Sequence, residues 1–183
     1  MDEFETKPIE ISLRPLRRED FSLLQRWINA PHVARWWSGE ETAETIETKY
    51  APRLEPGSAT RVYIIANSNR TVGMIQCYRH RDYPDWDVEI GINNAAGIDY
   101  LIGEPECIGQ GAGSAAIRSI CKIAFELYKD ISCIVSVPQK DNIASCLALE
   151  KASFQLVAQR KLESQCPSDS DISSIYKLEC GRT

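Results

Sequence analysis

The sequence predicts an α/β protein, an α+β fold built on a mixed sheet. Three observations support this. The chain has 183 residues, its apolar residues recur in some segments at strand spacing and in others at helix spacing, and 43% of its residues are hydrophobic against 26% charged. A chain of this length fits one compact core, because domains usually span roughly 100–200 residues. We therefore expect residues 1–183 to form a single domain.

The first half of the chain predicts a strand, two helices and a hairpin. Strand patterns cover residues 9–16, 61–66 and 71–78, and helix patterns cover residues 20–30 and 42–50. Asp20 is expected to cap the first helix, which should end before Pro31. Residues 32–39 predict a loop that carries Trp36 and Trp37 side by side. Such a pair either contacts a ligand or seals the core beneath the loop.

The second half predicts alternating strands and helices. Strands are expected at residues 98–102, 131–137, 154–162 and 173–179, with a short strand at 88–92 in an otherwise irregular segment. A helix with a regular apolar stripe follows a glycine-rich loop at 103–114, and Asn142 opens another helix that reaches about residue 152. A polar loop at 163–173 separates the last two strands. The order is β-α-α-β-β-β-α-β-α-β-β.

Charge and composition argue against several classes of protein. The net charge of −5 has the wrong sign for nucleic-acid binding. The longest apolar runs are far shorter than the ~20 residues that span a bilayer, and the acidic start lacks the features of an export signal. Seven cysteines without a CxxC pair argue against a zinc or redox motif and favour a reducing, cytoplasmic location. We expect no metal, no nucleic acid and no membrane as a partner.

The glycine-rich segment Gly109–Ser114 is the strongest local signal. Glycines allow close approach of a ligand, and the N-terminus of the following helix attracts phosphate, so a phosphate-bearing cofactor is expected. The Walker pattern is absent, because no lysine precedes Ser114. Residues 111–116 fit the looser G-x-G-x-x-A dinucleotide pattern, but no apolar strand comes directly before it. A helix cap without a ligand is the remaining alternative.

The window from Asp82 to Glu106 contains seven acidic residues and neither lysine nor arginine. A cleft lined by charges of one sign concentrates ligands of the other, so a cationic substrate is one interpretation and a solvated acidic loop is the other. Asp99 lies inside the apolar segment Ile98–Ile102, directly before the glycine-rich loop. Its carboxylate points either to solvent from a sheet edge or to the reactive end of the cofactor.

Four segments carry a resemblance to a known family: Leu13–Glu41 with its tryptophan pair, Gln76–Tyr78, Gly97–Gly103, and Asn142–Phe154. Together with the order of elements, they resemble the GCN5-related N-acetyltransferases (GNAT), and most closely the aminoglycoside 6′-N-acetyltransferases. The resemblance extends from about residue 11 to residue 176. It implies the GNAT fold, acetyl-CoA as co-substrate, a cationic small-molecule amine as acceptor, and a monomer or homodimer.

The resemblance also implies a mechanism, in which the acceptor amine attacks the acetyl thioester directly in a ternary complex. Asp99 takes the role of the base, and backbone N–H groups near Leu101 and Ile102 hold the thioester carbonyl. Asn142 meets the pantetheine arm. The pyrophosphate is assigned to six consecutive residues: Gly109, Gln110, Gly111, Ala112, Gly113 and Ser114. The acceptor is assigned to Trp36, Trp37, Tyr78, Asp85, Asp87 and Glu89.

Three positions depart from the family pattern. Ile108 replaces the usual Gln or Arg, Leu149 replaces the tyrosine offered as general acid, and Val137 replaces an acid expected to contact the antibiotic. A thiol of pKa ~8.5 leaves tolerably well as a thiolate, so the loss of the tyrosine should lower the rate without abolishing the reaction. Acetylation of another amine, such as a hydroxylysine-type siderophore precursor or a protein N-terminus, is the nearest alternative. A non-catalytic acetyl-CoA-binding module is another.

Overall fold

The computed structural model describes residues 10–37, 39–163 and 172–181. They form a seven-stranded mixed sheet in the order β1-β2-β3-β4-β5-β7-β6. The strands are β1 (Ile11–Pro15), β2 (Thr60–Asn67), β3 (Arg70–Arg79), β4 (Ala95–Ile102), β5 (Cys133–Ser136), β6 (Gln155–Lys161) and β7 (Ile172–Glu179). The helices are α1 (Phe21–Ile28), α2 (Pro31–Trp37), α3 (Ala43–Tyr50), α4 (Pro84–Ile90), α5 (Ala112–Leu127) and α6 (Ile143–Lys151).

Helices cover both faces of the sheet, because the strand side chains alternate between two apolar clusters. On one face, Ile75 of β3 and Ile98 of β4 pack in a cluster with Ile117 of α5. On the other face, Met74 and Leu101 belong to a second cluster, which also contains residues of α1 and α3. The alternation explains the position of Asp99: it shares the face of Leu101, which α1 and α3 cover.

The sheet opens between β4 and β5, its one parallel pair of neighbours in the described chain. Their pairing covers Ala95–Gly97. At the next residue, the Ile98 carbonyl accepts a hydrogen bond from the Ser136 hydroxyl at 3.1 Å instead of one from the β5 backbone. From Asp99 to Ile102, β4 therefore keeps β3 on one side and, among the described residues, has no strand partner on its β5 side.

Two segments differ from the sequence predictions. The expected loop at 32–39 begins as helix α2, which starts at Pro31, and the expected strand at 88–92 is wrong because Pro84–Ile90 forms helix α4. Proline suits the first turn of a helix, where its missing N–H is not needed. Asp85 and Asp87 also favour the first turn of α4 through the helix dipole. The observed order thus contains two short helices more than predicted.

The other predicted elements are confirmed, except that Asp20 does not cap α1 through its side chain. The Arg14 guanidinium engages both of its oxygens, at 2.6 and 2.7 Å, and the Arg17 backbone N–H donates to it at 2.9 Å. Most of the predicted polar loop, residues 164–171, lies outside the described residues. Within the described ranges, none of the helices combines the length and apolar character needed to cross a bilayer.

Candidate active site

A cleft of about 570 Å³ opens where β4 and β5 separate. Its walls come from α2, the end of β4, the glycine-rich loop before α5, and the first turns of α6. Arg35 and Lys151 both line this cleft. These two cationic side chains, together with the N-terminus of α5, make the cleft suited to a ligand with phosphate groups.

The glycine-rich loop has the backbone geometry that a phosphate site needs. Gly109 and Gly111 have φ angles of 77° and 91°, in the left-handed region that favours glycine. At Gly109, no heavy atom of the described chain lies within 4 Å of the position a Cβ would take. The first turn of α5 contains no acidic residue. The loop is thus open to a ligand, and the unpaired N–H groups of the α5 N-terminus favour an anion there.

Most of the predicted cofactor residues line this cleft: Leu101, Ile102, Gly109, Gly111, Gly113, Ser114 and Asn142. Gln110 and Ala112 are not among the lining residues. The Gln110 side chain is exposed and donates to the Glu106 carbonyl at 2.5 Å, while Ala112 is buried at the start of α5. The Asn142 side chain also caps α6, since its oxygen accepts from the Ser145 N–H at 3.2 Å.

The cleft also contains residues that sequence reasoning missed. The Tyr100 ring lies on the face of the sheet that α5 and α6 cover, close to Gly113 and Ala148. Its hydroxyl hydrogen-bonds the Ser145 hydroxyl at 2.8 Å and donates to the Ser145 carbonyl at 3.2 Å. Burial raises the pKa of Tyr100. The sequence could have indicated Tyr100, because it follows Asp99 in the same strand. Successive side chains of a strand point to opposite faces of the sheet, so both faces of β4 carry a polar group here.

Asp99 lies beside the cleft, on the opposite face of β4 from Tyr100. Gln76 is its direct neighbour on β3 and donates from Nε2 to Asp99 Oδ2 at 2.8 Å. The Tyr78 hydroxyl also lies close to Asp99. Burial raises the pKa of Tyr78 well above its usual value, and the nearby Asp99 carboxylate raises it further. Tyr78 therefore stays protonated beside the carboxylate.

The predicted acceptor residues divide into two groups. Trp36 and Trp37 line the cleft together with the cofactor residues, and Trp37 also packs against the core, as the second interpretation of the tryptophan pair expects. Tyr78 instead belongs to an aromatic group at the start of α4. Its ring stacks on His80 with centroids 6.0 Å apart and meets Tyr83 edge-on at 5.2 Å. Asp85, Asp87 and Glu89 lie on α4 itself.

The acidic window is partly structural. Arginines outside the window pair with three of its carboxylates: Asp82 with Arg79 at 3.0 Å, Glu104 with Arg26 at 2.5 Å, and Glu106 with Arg70. Glu104 also accepts from the Trp27 indole at 2.8 Å, and these hydrogen bonds lower the pKa of Glu104.

One of the remaining four carboxylates, that of Glu89, accepts a hydrogen bond from the Glu163 backbone N–H. Among the described residues, Asp85 and Asp87 are therefore the carboxylates of the window without such a partner, while Asp99 already accepts a hydrogen bond from Gln76. Among the residues whose positions are described, no cluster of three or more His, Cys, Asp and Glu side chains could hold a metal ion.

The family model of the acetyltransferase (GNAT) domain matches residues 17–162. The chain belongs to the GNAT acetyltransferase family. This membership confirms the resemblance found in the sequence, and the acetyl donor of GNAT enzymes is acetyl-CoA. The glycine-rich loop, with its left-handed glycines at a helix N-terminus, fits the pyrophosphate of that molecule.

The relatives compared below are also named as acetyltransferases. An aminoglycoside N(6′)-acetyltransferase type 1 from Klebsiella pneumoniae is 26% identical over 149 residues, which cover 79% of this chain and 74% of the relative. A crystal structure of aminoglycoside acetyltransferase AAC(6′)-Ib with coenzyme A and kanamycin matches with a TM-score of 0.80 at 21% identity, covering 93% of this chain and 95% of that one. Spermidine N-acetyltransferase from Vibrio cholerae, with CoA and spermine, matches with a TM-score of 0.72 at 16% identity, covering 92% and 95%. These structures confirm the fold.

The three departures from the GNAT pattern occupy different environments. Ile108 lines the cleft and is 43% exposed, whereas Leu149 is fully buried in the core cluster that α5 and β4 share. Val137 is partly buried and packs against a separate small cluster near α4. Of the three, Ile108 is the one whose side chain lies in the cleft.

Proposed function

We propose that this chain transfers the acetyl group of acetyl-CoA to an amine of an aminoglycoside, with the 6′-amino group as the site of transfer. The observation that carries the proposal is the position of Asp99, which lies on β4 beside the cleft and shares a sheet face with Tyr78. Its neighbour Tyr100 lines the cleft, and Tyr78 contacts Tyr83 at the start of the acidic helix α4. The N(6′)-acetyltransferase relative at 26% identity supports the same acceptor class.

Bound acetyl-CoA would supply an activated acetyl group as a thioester. The chain's own residues would bind acetyl-CoA and orient its thioester. The N–H groups of the Gly109–Ser114 loop would face the pyrophosphate, and Arg35 and Lys151, which line the cleft, would offer positive charge to the phosphates of acetyl-CoA. Asn142 both caps α6 and lines the cleft, so it is placed to meet the pantetheine arm.

Backbone groups of β4 are placed to hold the thioester carbonyl. The N–H groups of successive strand residues point to opposite sides. The Gly103 N–H donates to Val72 of β3 at 2.8 Å, and the Ile98 carbonyl faces β5. By this alternation, the N–H of Ile102 points into the gap, whereas the N–H of Leu101 points to β3. Leu101 then contributes to the cleft wall, and Ile102 is the better donor.

On the acceptor side, the chain binds a cation and removes a proton. The carboxylates of Asp85 and Asp87 attract a polycationic amine to α4, and the Tyr78 ring offers an aromatic face close to Asp99. Asp99 then accepts the proton of the ammonium group, so that the neutral amine can attack. Tyr100 lines the cleft, but Ser145 engages its hydroxyl and burial raises its pKa, so the CoA thiolate leaves without a proton from it, as a thiol of pKa ~8.5 allows.

The test is a comparison of acceptors. CoA release should be measured with kanamycin, tobramycin, spermidine, hydroxylysine and a ribosomal N-terminal peptide, and the acetylated position should be read from the NMR spectrum of the product. We expect turnover with the aminoglycosides and acetylation at the 6′-amino group. Faster turnover with the polyamine, hydroxylysine or the peptide would reassign the acceptor. Binding of acetyl-CoA without turnover of any amine would favour the non-catalytic module.

A further inference from the structure

Gln76 is a buried amide directly opposite Asp99. The two residues are Cα partners in the antiparallel pairing of β3 with β4, and the Gln76 amide nitrogen donates to Asp99 Oδ2 at 2.8 Å. Only 7% of Gln76 is exposed. A buried amide needs partners for both its donor and its acceptor groups, so the other end of this side chain has to be satisfied as well.

Arg53 provides that partner. Its Nη1 donates to Gln76 Oε1 at 2.7 Å. A guanidinium group has five donors and no acceptor, so Arg53 fixes which end of the amide it faces. The oxygen must point to Arg53, and the nitrogen must point to Asp99. Arg53 is itself held in place, because its guanidinium lies 4.9 Å from the centre of the fully buried Tyr50 ring.

We infer that Gln76, with its amide orientation set by Arg53, is the positioning residue that holds the Asp99 carboxylate in line with the attacking amine. The inference rests on the proposed function, in which Asp99 accepts the proton of that amine. Because the Gln76 amide is itself held by Arg53, its hydrogen bond limits the rotation of the Asp99 carboxylate about its side-chain bonds. Small errors in the position of a reacting group are costly to the rate.

The experiment is a double-mutant cycle on the intact protein. Gln76→Leu removes the amide at similar size, and Arg53→Met keeps the side-chain stem but removes the donors. We expect Gln76→Leu to lower kcat about ten- to a hundredfold, with the acetyl-CoA Kd unchanged by calorimetry. We expect a smaller loss in Arg53→Met. The double variant should be no slower than Gln76→Leu, because Arg53 acts through the amide.

A second cycle ties the effect to Asp99. In an Asp99→Asn background, Gln76→Leu should cause no further loss of kcat, because the group that it positions is already gone. Gln159→Leu is a matched control. Gln159 also donates across a strand pair, to the Ser174 hydroxyl on β7 at 2.9 Å, but it lies on edge strand β6. It should leave kcat unchanged.

Each outcome separates this inference from the function on which it rests. If Asp99→Asn is slow while Gln76→Leu keeps the wild-type kcat, the inference is wrong and the proposed function stands. Additive losses in Gln76→Leu and Arg53→Met, or a joint fall of stability and acetyl-CoA affinity, would give Gln76 a structural role only. A wild type that acetylates no amine overturns the proposed function and the inference with it. Arg53→Met tests the positioning of Asp99 through Gln76 even if Gln76→Leu does not fold, because Arg53 is only partly buried in a surface turn.

Discussion

The ring of Tyr78 on β3 lies directly over Gly97 on β4, its partner in the strand pairing. A Cβ at Gly97 would come within 2.5 Å of the ring. Because Gly97 has no side chain, the ring can lie across β4, and its hydroxyl lies close to Asp99 on the same face, two residues further along. The short motif Gly97-Ile98-Asp99 thus combines a space for an aromatic ring with a carboxylate close to the hydroxyl of that ring.

The first prediction follows from this contact. Gly97→Ala should displace the Tyr78 ring, lower kcat/KM for the amine about tenfold, and cost about 1–3 kcal/mol of unfolding free energy through overpacking. The acetyl-CoA Kd should change little, because the ring lies outside the cleft lining. Gly57→Ala is the matched control, since no described atom lies within 4 Å of a Cβ there. Unaltered amine kinetics in a folded Gly97→Ala variant would contradict the assignment of Tyr78 to the acceptor side.

Asp99→Asn is the most direct test of the proposed base. The substitution keeps the shape of the side chain but removes its charge and basicity, so kcat should fall about 10²- to 10⁴-fold at neutral pH. Acetyl-CoA affinity should remain, and raising the pH should restore part of the rate, because more of the amine is then already neutral. Retention of more than about a third of the wild-type kcat would be incompatible with a general-base contribution of this size.

A prediction for the glycine-rich loop uses a control with matched backbone strain. Gly111→Val places a branched side chain at a φ of 91° beside the expected pyrophosphate, and the acetyl-CoA Kd should rise at least about tenfold. Gly181 has a φ of 92° but lies beyond β7, so Gly181→Val carries similar strain far from the cleft. Calorimetry on both variants separates the effects. Equal acetyl-CoA affinity in the two folded variants would remove the loop from the cofactor site.

Local patterns predicted most of the elements, because each strand and long helix carries its own periodicity. Helices α2 and α4 were missed because both begin at prolines, which mark a break in a sequence and a favourable first turn in a structure. The contact of Gln76 with Asp99 depends on strand register, which is set by the whole sheet. Gln110 was assigned to the cofactor through its backbone N–H, and its side chain lies outside the cleft lining because successive residues of a turn point in different directions.

The carboxylates of α4 should control acceptor binding through charge. Asp85→Asn combined with Asp87→Asn should raise KM for an aminoglycoside and weaken the dependence of KM on salt, because exposed charges are screened over about 8 Å at physiological ionic strength. The acetyl-CoA Kd should not change in parallel with KM. Glu126→Gln is the control, because Glu126 is an exposed acid on α5 and its substitution removes one negative charge, as each Asp→Asn substitution does. If wild-type KM is independent of salt, the acidic window is a solvated surface.

His80 predicts how stability depends on pH. It is 1% exposed, and neither ring nitrogen has a hydrogen-bond partner among the described residues. Burial lowers its pKa from 6.5 to about 4, and the nearby Asp87 offsets this only in part. The unfolded chain therefore binds a proton before the folded protein does, so unfolding becomes easier as the pH falls from about 6.5 towards 4, by at most roughly 3 kcal/mol. Glu104 acts at lower pH, because its pKa lies below the usual 4.5 and its stabilisation is lost only as the pH falls through that lowered pKa. Denaturant unfolding between pH 7 and 4.5 should thus show a decline that His80→Phe flattens. Parallel curves for the two proteins would mean that the pKa of His80 is the same in the folded and the unfolded state.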